Sequence, residues 1–243
     1  MNAREPSPSI AEMWEFLPHD PARSAAQIEG VRALLHANTP QTVLDLGCGT
    51  GRLLTPLAQA GHRVIGIDAS QGAVNACREA SPSATLIQGD FLAEPWPLPA
   101  HGADAILCLG NTFMTIADLD AAIALLSRVA ASLAPCGVFL LDDLPHDLWP
   151  EVTEGNWQSG VSEHPDEEDT LMQMVWHPHD SVFTIRTGDR VDETCWTLTP
   201  DDRLLRLWTS SALALAARLA GLSEPEHDES HGLLVFRTMK RDT

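Results

Sequence analysis

The sequence predicts an α/β fold: a doubly wound, mostly parallel sheet carrying a small antiparallel β insertion. Three observations lead to it. Short apolar runs alternate with amphipathic stretches from residue 25 to residue 144, and strands that are apolar on both faces belong to a parallel sheet covered by helices on each side. Between the first apolar run and the helix after it lies a turn with glycine at every second position: Gly47, Gly49 and Gly51. After Asp143 the rhythm changes, first to sequence rich in Pro, Gly, Asp and Glu, then to short strand-like segments parted by turn residues.

Taken in order, Ala25 to Ala37 reads as a helix, because Ile28, Val31, Leu34 and Leu35 fall on one face. Residues 1–24 precede it as an arm or lid, with residues 1–9 expected to be disordered. Thr42–Leu46, Arg63–Ile67, Thr85–Gln88, Ala105–Leu109 and Gly137–Asp142 are the expected strands of a core spanning residues 25–144. Arg52–Ala60, Gln71–Ala80 and Leu119–Leu133 are the helices between them. Residues 145–209 form the insertion. It contains the acidic run EHPDEED and four strand-like segments: Leu171–Trp176, Val182–Thr187, Val191–Leu198 and Leu204–Trp208. Pro178-His179-Asp180 and Thr187-Gly188-Asp189 supply hairpin turns. Too small to fold alone, this sheet is expected to cover the active-site end or to form the interface of a homo-oligomer. Residues 210–243 return to the core as a helix, Ser211–Ala220, stopped by Gly221, and a closing strand, Gly232–Lys240.

Chemistry concentrates at Val43 to Gly51, which reads VLDLGCGTG. Strand, glycine turn and helix let a backbone approach a ligand closely while its amide N–H groups face that ligand. A dinucleotide site prefers a third glycine where this chain has Arg52. The next apolar strand, in HRVIGIDAS, ends in Asp68. A carboxylate there can accept hydrogen bonds from both ribose hydroxyls of a nucleoside held over the turn. Its alternative role is to cap the following helix, which Ser70 can do instead.

Asp45-x-Gly47-x-Gly49-x-Gly51 resembles motif I of the class I S-adenosylmethionine (SAM)-dependent methyltransferases. Further features follow in that family's order: Asp68, then Gln88-Gly89-Asp90-Phe91, then Leu109-Gly110-Asn111-Thr112-Phe113, then the turn Leu133-Ala134-Pro135-Cys136-Gly137. The resemblance covers residues 42–143 and, loosely, the last helix and strand. It implies a seven-stranded Rossmann-like sheet, SAM as cofactor and S-adenosylhomocysteine as product. It also implies a set of cofactor-side residues. Asp45, Gly47, Cys48, Gly49 and Gly51 would form the turn, and Asp68 and Ala69 the ribose end. Asp90 and the backbone of Phe91 would read adenine, while Leu109 and Asn111 would lie beside the sulfonium. Arg23 would hold the methionine carboxylate, or else is a solvated surface residue. Trp14 would belong to a substrate-side lid, or else docks the N-terminal arm. The Leu-Gly-Asn-Thr-Phe end resembles the branch acting on small amines, the glycine and aminosugar N-methyltransferases, and lacks the Asn/Asp-Pro-Pro-aromatic signature of nucleic-acid amino-methyltransferases. Asn111 either orients a substrate or stabilises a left-handed turn.

The implied activity is methyl transfer from SAM to a small-molecule nucleophile, an amine before an oxygen, by in-line displacement. A sulfonium is already a strong methyl donor, so the protein's task is positioning and exclusion of water. Asp143 and His146, just past the fifth strand, are the candidates to take a substrate proton. Asp142-Asp143 could also line a metal-dependent site, but matching downstream ligands are missing. Two other classes stay open: a SAM-binding protein without turnover, and a nicotinamide-dependent oxidoreductase, against which Arg52 and Asp45 speak.

Composition narrows the partners. Fifteen Lys and Arg against 34 Asp and Glu give a net charge of −19, which repels phosphate backbones and speaks against unspecific nucleic-acid binding. Five scattered cysteines with no C-x-x-C pair suit a reducing compartment. No stretch reads as a signal peptide or a membrane span, so a cytoplasmic location is expected. His177-Pro178-His179-Asp180 has metal-ligand residue types but falls at a hairpin tip, so no metal is expected. Trp149, Trp157, Trp176, Trp196 and Trp208 concentrate aromatic surface in the insertion, mostly for packing.

Overall fold

The structure, a computed structural model, describes residues 21–35, 39–143, 159–163 and 170–239. Residues 1–9, Trp14, His146, Trp149, Trp157 and most of the acidic run lie outside them. Helix α1 spans Pro21–Leu34, beginning at Pro21 and not at Ala25. Proline suits the first turn of a helix, where its missing N–H has no partner to lose. Arg23 therefore sits within the helix. The core continues with β1 (Thr42–Leu46), α2 (Leu54–Gln59), β2 (Arg63–Asp68), α3 (Gln71–Ala80), β3 (Thr85–Gln88), β4 (Ala103–Cys108), α4 (Leu119–Ser132) and β5 (Leu133–Asp142). The insertion supplies β6 (Gly160–Glu163), β7 (Leu171–Trp176), β8 (Val182–Thr187) and β9 (Leu205–Arg206). Helix α5 (Ser210–Ala220), β10 (Glu226–Asp228) and β11 (Leu233–Arg237) complete the core.

The main sheet has seven strands in the order β10-β11-β5-β4-β1-β2-β3. The pairs from β3 through to β5 are parallel, and β11 runs antiparallel to both β5 and β10. The chain steps outward from β1 to β3, then crosses back to β4 on the other side of β1. That reversal opens a crevice at the carboxyl ends of β1 and β4, where ligands of such sheets bind. Both faces are apolar. Leu44, Leu46, Ile106, Phe139, Leu141 and Phe236 pack under α4 and α5, while Val43, Leu107, Leu140 and Leu233 pack with Val31 of α1 and Leu54 and Leu57 of α2.

Two of the departures from the expected strands have clear physical causes. β5 starts at Leu133 and not at Gly137, because the Pro135-Cys136-Gly137 turn is absorbed as an irregularity in its pairing with β4. A Cβ at Gly137 would lie 2.8 Å from the Ala103 carbonyl oxygen, so only glycine fits there. Val191–Leu198 forms no strand. A 3₁₀ turn, Gly188–Arg190, follows β8, and the chain then loops so that the Cys195 and Thr197 carbonyls accept from Arg186.

The insertion is a four-stranded antiparallel sheet, β6-β7-β8-β9. Phe183, Ile185, Leu205 and Leu207 from it pack around Met114, which lies in the 3₁₀ turn Thr112–Thr115 just after β4. The second sheet is thereby fastened to the ligand end of the first. Among the described residues no helix is long and apolar enough to cross a membrane.

Candidate cofactor and active site

The glycine turn is built by close approach on two sides and openness on the third. Gly47, Gly49 and Gly51 all have positive φ, at 74°, 53° and 90°, a region that non-glycine residues rarely adopt. A Cβ at Gly47 would lie 2.5 Å from Thr112 Cγ2, so the β1 turn packs directly on the β4 exit. At Gly49 a Cβ would meet no atom of the described residues within 4 Å. That side of the turn faces open space. The Cys48 side chain turns inward, its Sγ 2.7 Å from where a Cβ on Gly66 would be, so only its backbone can serve a ligand.

Asp68, at the tip of β2, clips the turn in place. Its Oδ2 accepts from Gly49 N and its Oδ1 from Ser70 N, both at 2.8 Å. Ser70, not Asp68, caps α3, with Oγ accepting from Ala73 N at 3.3 Å. Ala69 is exposed, and its carbonyl accepts from Gln88 Nε2. Each Asp68 oxygen retains a second lone pair.

Beyond β3, Asp90 Oδ1 accepts from Leu92 N at 2.8 Å, and the Asp90 carbonyl accepts from Ala93 N and Glu94 N. Arg128 of α4 clamps this loop. It donates to the carbonyls of Phe91, Leu92 and Glu94 and lies over the Trp96 ring, 4.0 Å from its centroid. Phe91 packs its ring against the core.

Between β1, β4, β5 and α1 lies a buried polar cluster that periodicity could not reveal. Arg23 and Gln27, one turn apart on α1, both donate to Asp142 Oδ1 at the end of β5, at 3.4 Å and 2.7 Å. Asp142 Oδ2 accepts from Asn111 N at 2.8 Å, and Gln27 Oε1 accepts from Arg52 Nη2 at 3.0 Å. Asn111 is left-handed, with φ of 63°, directly after Gly110 at 71°. Leu109 is buried beneath this turn, its carbonyl accepting from Thr112 Oγ1.

Three groups in the cluster are left open. Arg52 Nη1 and Asn111 Oδ1 are buried without a hydrogen-bond partner among the described residues. Asp45 is 2 % exposed; burial, with the charges of Asp68 and Asp142 adding to it and that of Arg52 opposing, pushes its pKa up to about 7. One open cation and two open acceptors suit the methionine end of SAM, which carries a carboxylate, an ammonium and a sulfonium. Arg52, Gln27 and Asp142 are the residues here that motif reading missed; the Arg23/Gln27 spacing on α1 was the available signal.

Of the proposed proton acceptors, His146 lies outside the described residues. Asp143 is 1 % exposed, and its Oδ2 lies 2.9 Å from Nδ1 of His227 on β10. Of the tryptophans, Trp208 packs at a tilt against Phe113 within the core, Trp176 packs at a tilt against Phe183, and Trp196 is exposed. The His177–His179 segment forms a turn between β7 and β8.

Comparison with known proteins agrees with this geometry. Residues 43–137 match a family described as a methyltransferase domain. An uncharacterized methyltransferase of Synechocystis is 37 % identical over 131 residues, covering 49 % of this chain and 59 % of that protein. The cypemycin N-terminal methyltransferase of a Streptomyces species is 35 % identical over 104 residues, covering 42 % of this chain and 41 % of its own. Other relatives bear the name malonyl-[acyl-carrier protein] O-methyltransferase. The chain thus spans about half the length of the two curated relatives described. Its fold is that of the sugar N-methyltransferase KedS8 from Streptoalloteichus, with a TM-score of 0.64 at 19 % identity, covering 98 % of this chain and 96 % of that one. With this sheet order and a glycine turn set at the switch point, residues 43–137 match a methyltransferase domain, and the fold around them is that of the similar methyltransferase structures.

Proposed function

We propose that the protein transfers the methyl group of SAM to the nitrogen of a small-molecule amine. The observation that carries this reading is the set of polar groups left open at the switch point: the bare side of Gly49, buried Asp45, Arg52 Nη1 and Asn111 Oδ1. When bound, SAM supplies an electrophilic methyl group on a sulfonium. Asp68 uses its remaining lone pairs for the ribose hydroxyls, next to Ala69. Asp90 Oδ2 accepts from the adenine amino group, and the Phe91 N–H donates to the ring. Arg52 holds the methionine carboxylate, with Arg23 beside it fixing Asp142. Asp45 balances the positive charge of the methionine end, as Asn111 and Leu109 shape the space by the methyl group.

An amine acceptor is supported by the Leu109–Phe113 sequence, by the N-methyltransferases among the similar proteins, and by a net charge of −19, which favours cationic substrates over nucleic acid. Five free cysteines suit a cytoplasmic location. The insertion, residues 145–209, covers the substrate or joins two copies of the chain. The test is incubation with SAM and a panel of primary and secondary amines, read by mass spectrometry. The expected result is S-adenosylhomocysteine together with an amine heavier by one methylene. Binding of SAM without release of S-adenosylhomocysteine for any acceptor would favour a silent SAM-binding protein; transfer to carboxylates alone would favour O-methylation.

A further inference from the structure

We infer that His227, held by Asp143, accepts the proton that the substrate nitrogen loses; this rests on the amine-methylation reading above. The sequence offers Asp143 and His146 for this role; His146 lies outside the described residues, and the Asp143 side chain is 1 % exposed, too enclosed to meet a substrate. It instead aims a histidine. Asp143 Oδ2 and His227 Nδ1 are 2.9 Å apart. A carboxylate accepting from Nδ1–H fixes the tautomer in which Nε2 carries the lone pair, ready to take a proton. Nε2 bonds to no described residue, and the imidazole is 40 % exposed.

The pair stands at the correct end of the sheet. Asp143 follows Asp142, whose Oδ2 holds Asn111 N of the β4 exit. Side chains alternate along β5, so Asp142 faces α1 while Asp143 lies on the opposite face with Leu141. His227 pairs with Leu234 of β11, and Leu234 with Leu141 of β5, which places all of them on that face near the strands' carboxyl ends. A purely structural Asp143 is a poor explanation. Its Oδ1 is buried without a partner among the described residues, and a half-satisfied buried carboxylate costs stability that an apolar residue would not.

The step balances. The nitrogen of the neutral amine forms the bond to the methyl carbon as the methyl–sulfur bond breaks, its electron pair staying on sulfur. The extra proton on nitrogen passes to His227 Nε2, leaving a neutral methylated amine and an imidazolium paired with Asp143. Water then receives the proton.

His227→Gln, His227→Ala and Asp143→Asn are to be compared with the unaltered protein in methyl transfer from SAM to the amine panel, with S-adenosylhomocysteine affinity measured alongside. The inference expects kcat to fall by roughly 100-fold in His227→Gln, unchanged S-adenosylhomocysteine affinity, and partial recovery of His227→Ala by added imidazole. An unchanged kcat, or a loss matched by lost cofactor affinity, overturns it. Should no amine be methylated by the unaltered protein, the amine reading fails, and nitrogen NMR of the S-adenosylhomocysteine complex decides the pair separately. A Nδ1-protonated His227 that loses this tautomer in Asp143→Asn supports it; a Nε2-protonated ring overturns it.

Discussion

Arg186 in the insertion and Arg52 in the cofactor half are both taken out of water, and they are treated in opposite ways. Arg186 is 4 % exposed and uses all five of its donors. Nε and Nη2 grip both oxygens of Asp202, Nη1 donates to Cys195 O and Gln173 Oε1, and Nη2 also reaches Thr197 O. Burial alone would raise Asp202, but the Arg186 guanidinium and the amide and hydroxyl of Thr199 outweigh it and hold its pKa near 2. Arg52 has Gln27 Oε1 on Nη2 and, among the described residues, nothing on Nη1. A chain that completes its own hydrogen bonds around a buried charge is building structure. One that leaves a buried donor and two acceptors open at a sheet's switch point is leaving them for a ligand.

Substitutions can break that contrast, beginning with the largest effect. Arg186→Met takes from buried Asp202 the guanidinium that grips both its oxygens, leaving Arg190 at 3.6 Å, and should cost about 3 kcal/mol, lowering the melting temperature by about 10 °C in a chain of this size. Binding of S-adenosylhomocysteine to the folded variant should be unchanged. Loss of binding in step with melting would mean that the two regions are not separable.

Asp45→Asn should act in the opposite direction. The Asp45 carboxyl titrates near 3.8 when unfolded and at about 7 in the fold, so between those values the folded state holds the proton and the unfolded state does not. Stability without ligand therefore declines as pH rises from about 4 to about 7 and is flat above that. At pH 8 the Asn variant should be more stable by something of the order of 4 kcal/mol, with the advantage gone below about pH 4 and with cofactor affinity weakened. Equal melting curves at pH 8 would show that Asp45 is already compensated.

Arg52→Met should leave melting almost unchanged and weaken S-adenosylhomocysteine binding by roughly 10- to 100-fold, the value of one charge-assisted hydrogen bond. Asp68→Ala should weaken binding severalfold, since it removes the proposed ribose acceptor and also the clip on Gly49 N. Unaltered affinity in titration calorimetry would remove Asp68 from the ribose role.

Legibility in the sequence follows the range of the interactions. β1, β3, α3, β7 and β8 carry the bounds expected from apolar runs, turn residues and the Ser70 cap, because those signals lie within one element. Val191–Leu198 was misread as a strand because its pattern alternates, while its carbonyls serve a guanidinium on β8; no periodicity reports such a partner. In the cofactor half the motif residues sit where the glycine turn and strand tips were expected. Arg52 was legible only as a missing glycine, and Gln27 meets Asp142 across 115 positions of chain. His227, on a three-residue edge strand, carries no local signature.

The most direct test of the central claim is calorimetric titration of the unaltered protein and of Arg52→Met with S-adenosylhomocysteine, with NADH and NADPH as controls. The account predicts micromolar binding of S-adenosylhomocysteine alone, weakened at least tenfold in the variant. A preference for a nicotinamide, or an S-adenosylhomocysteine affinity indifferent to Arg52, would contradict it.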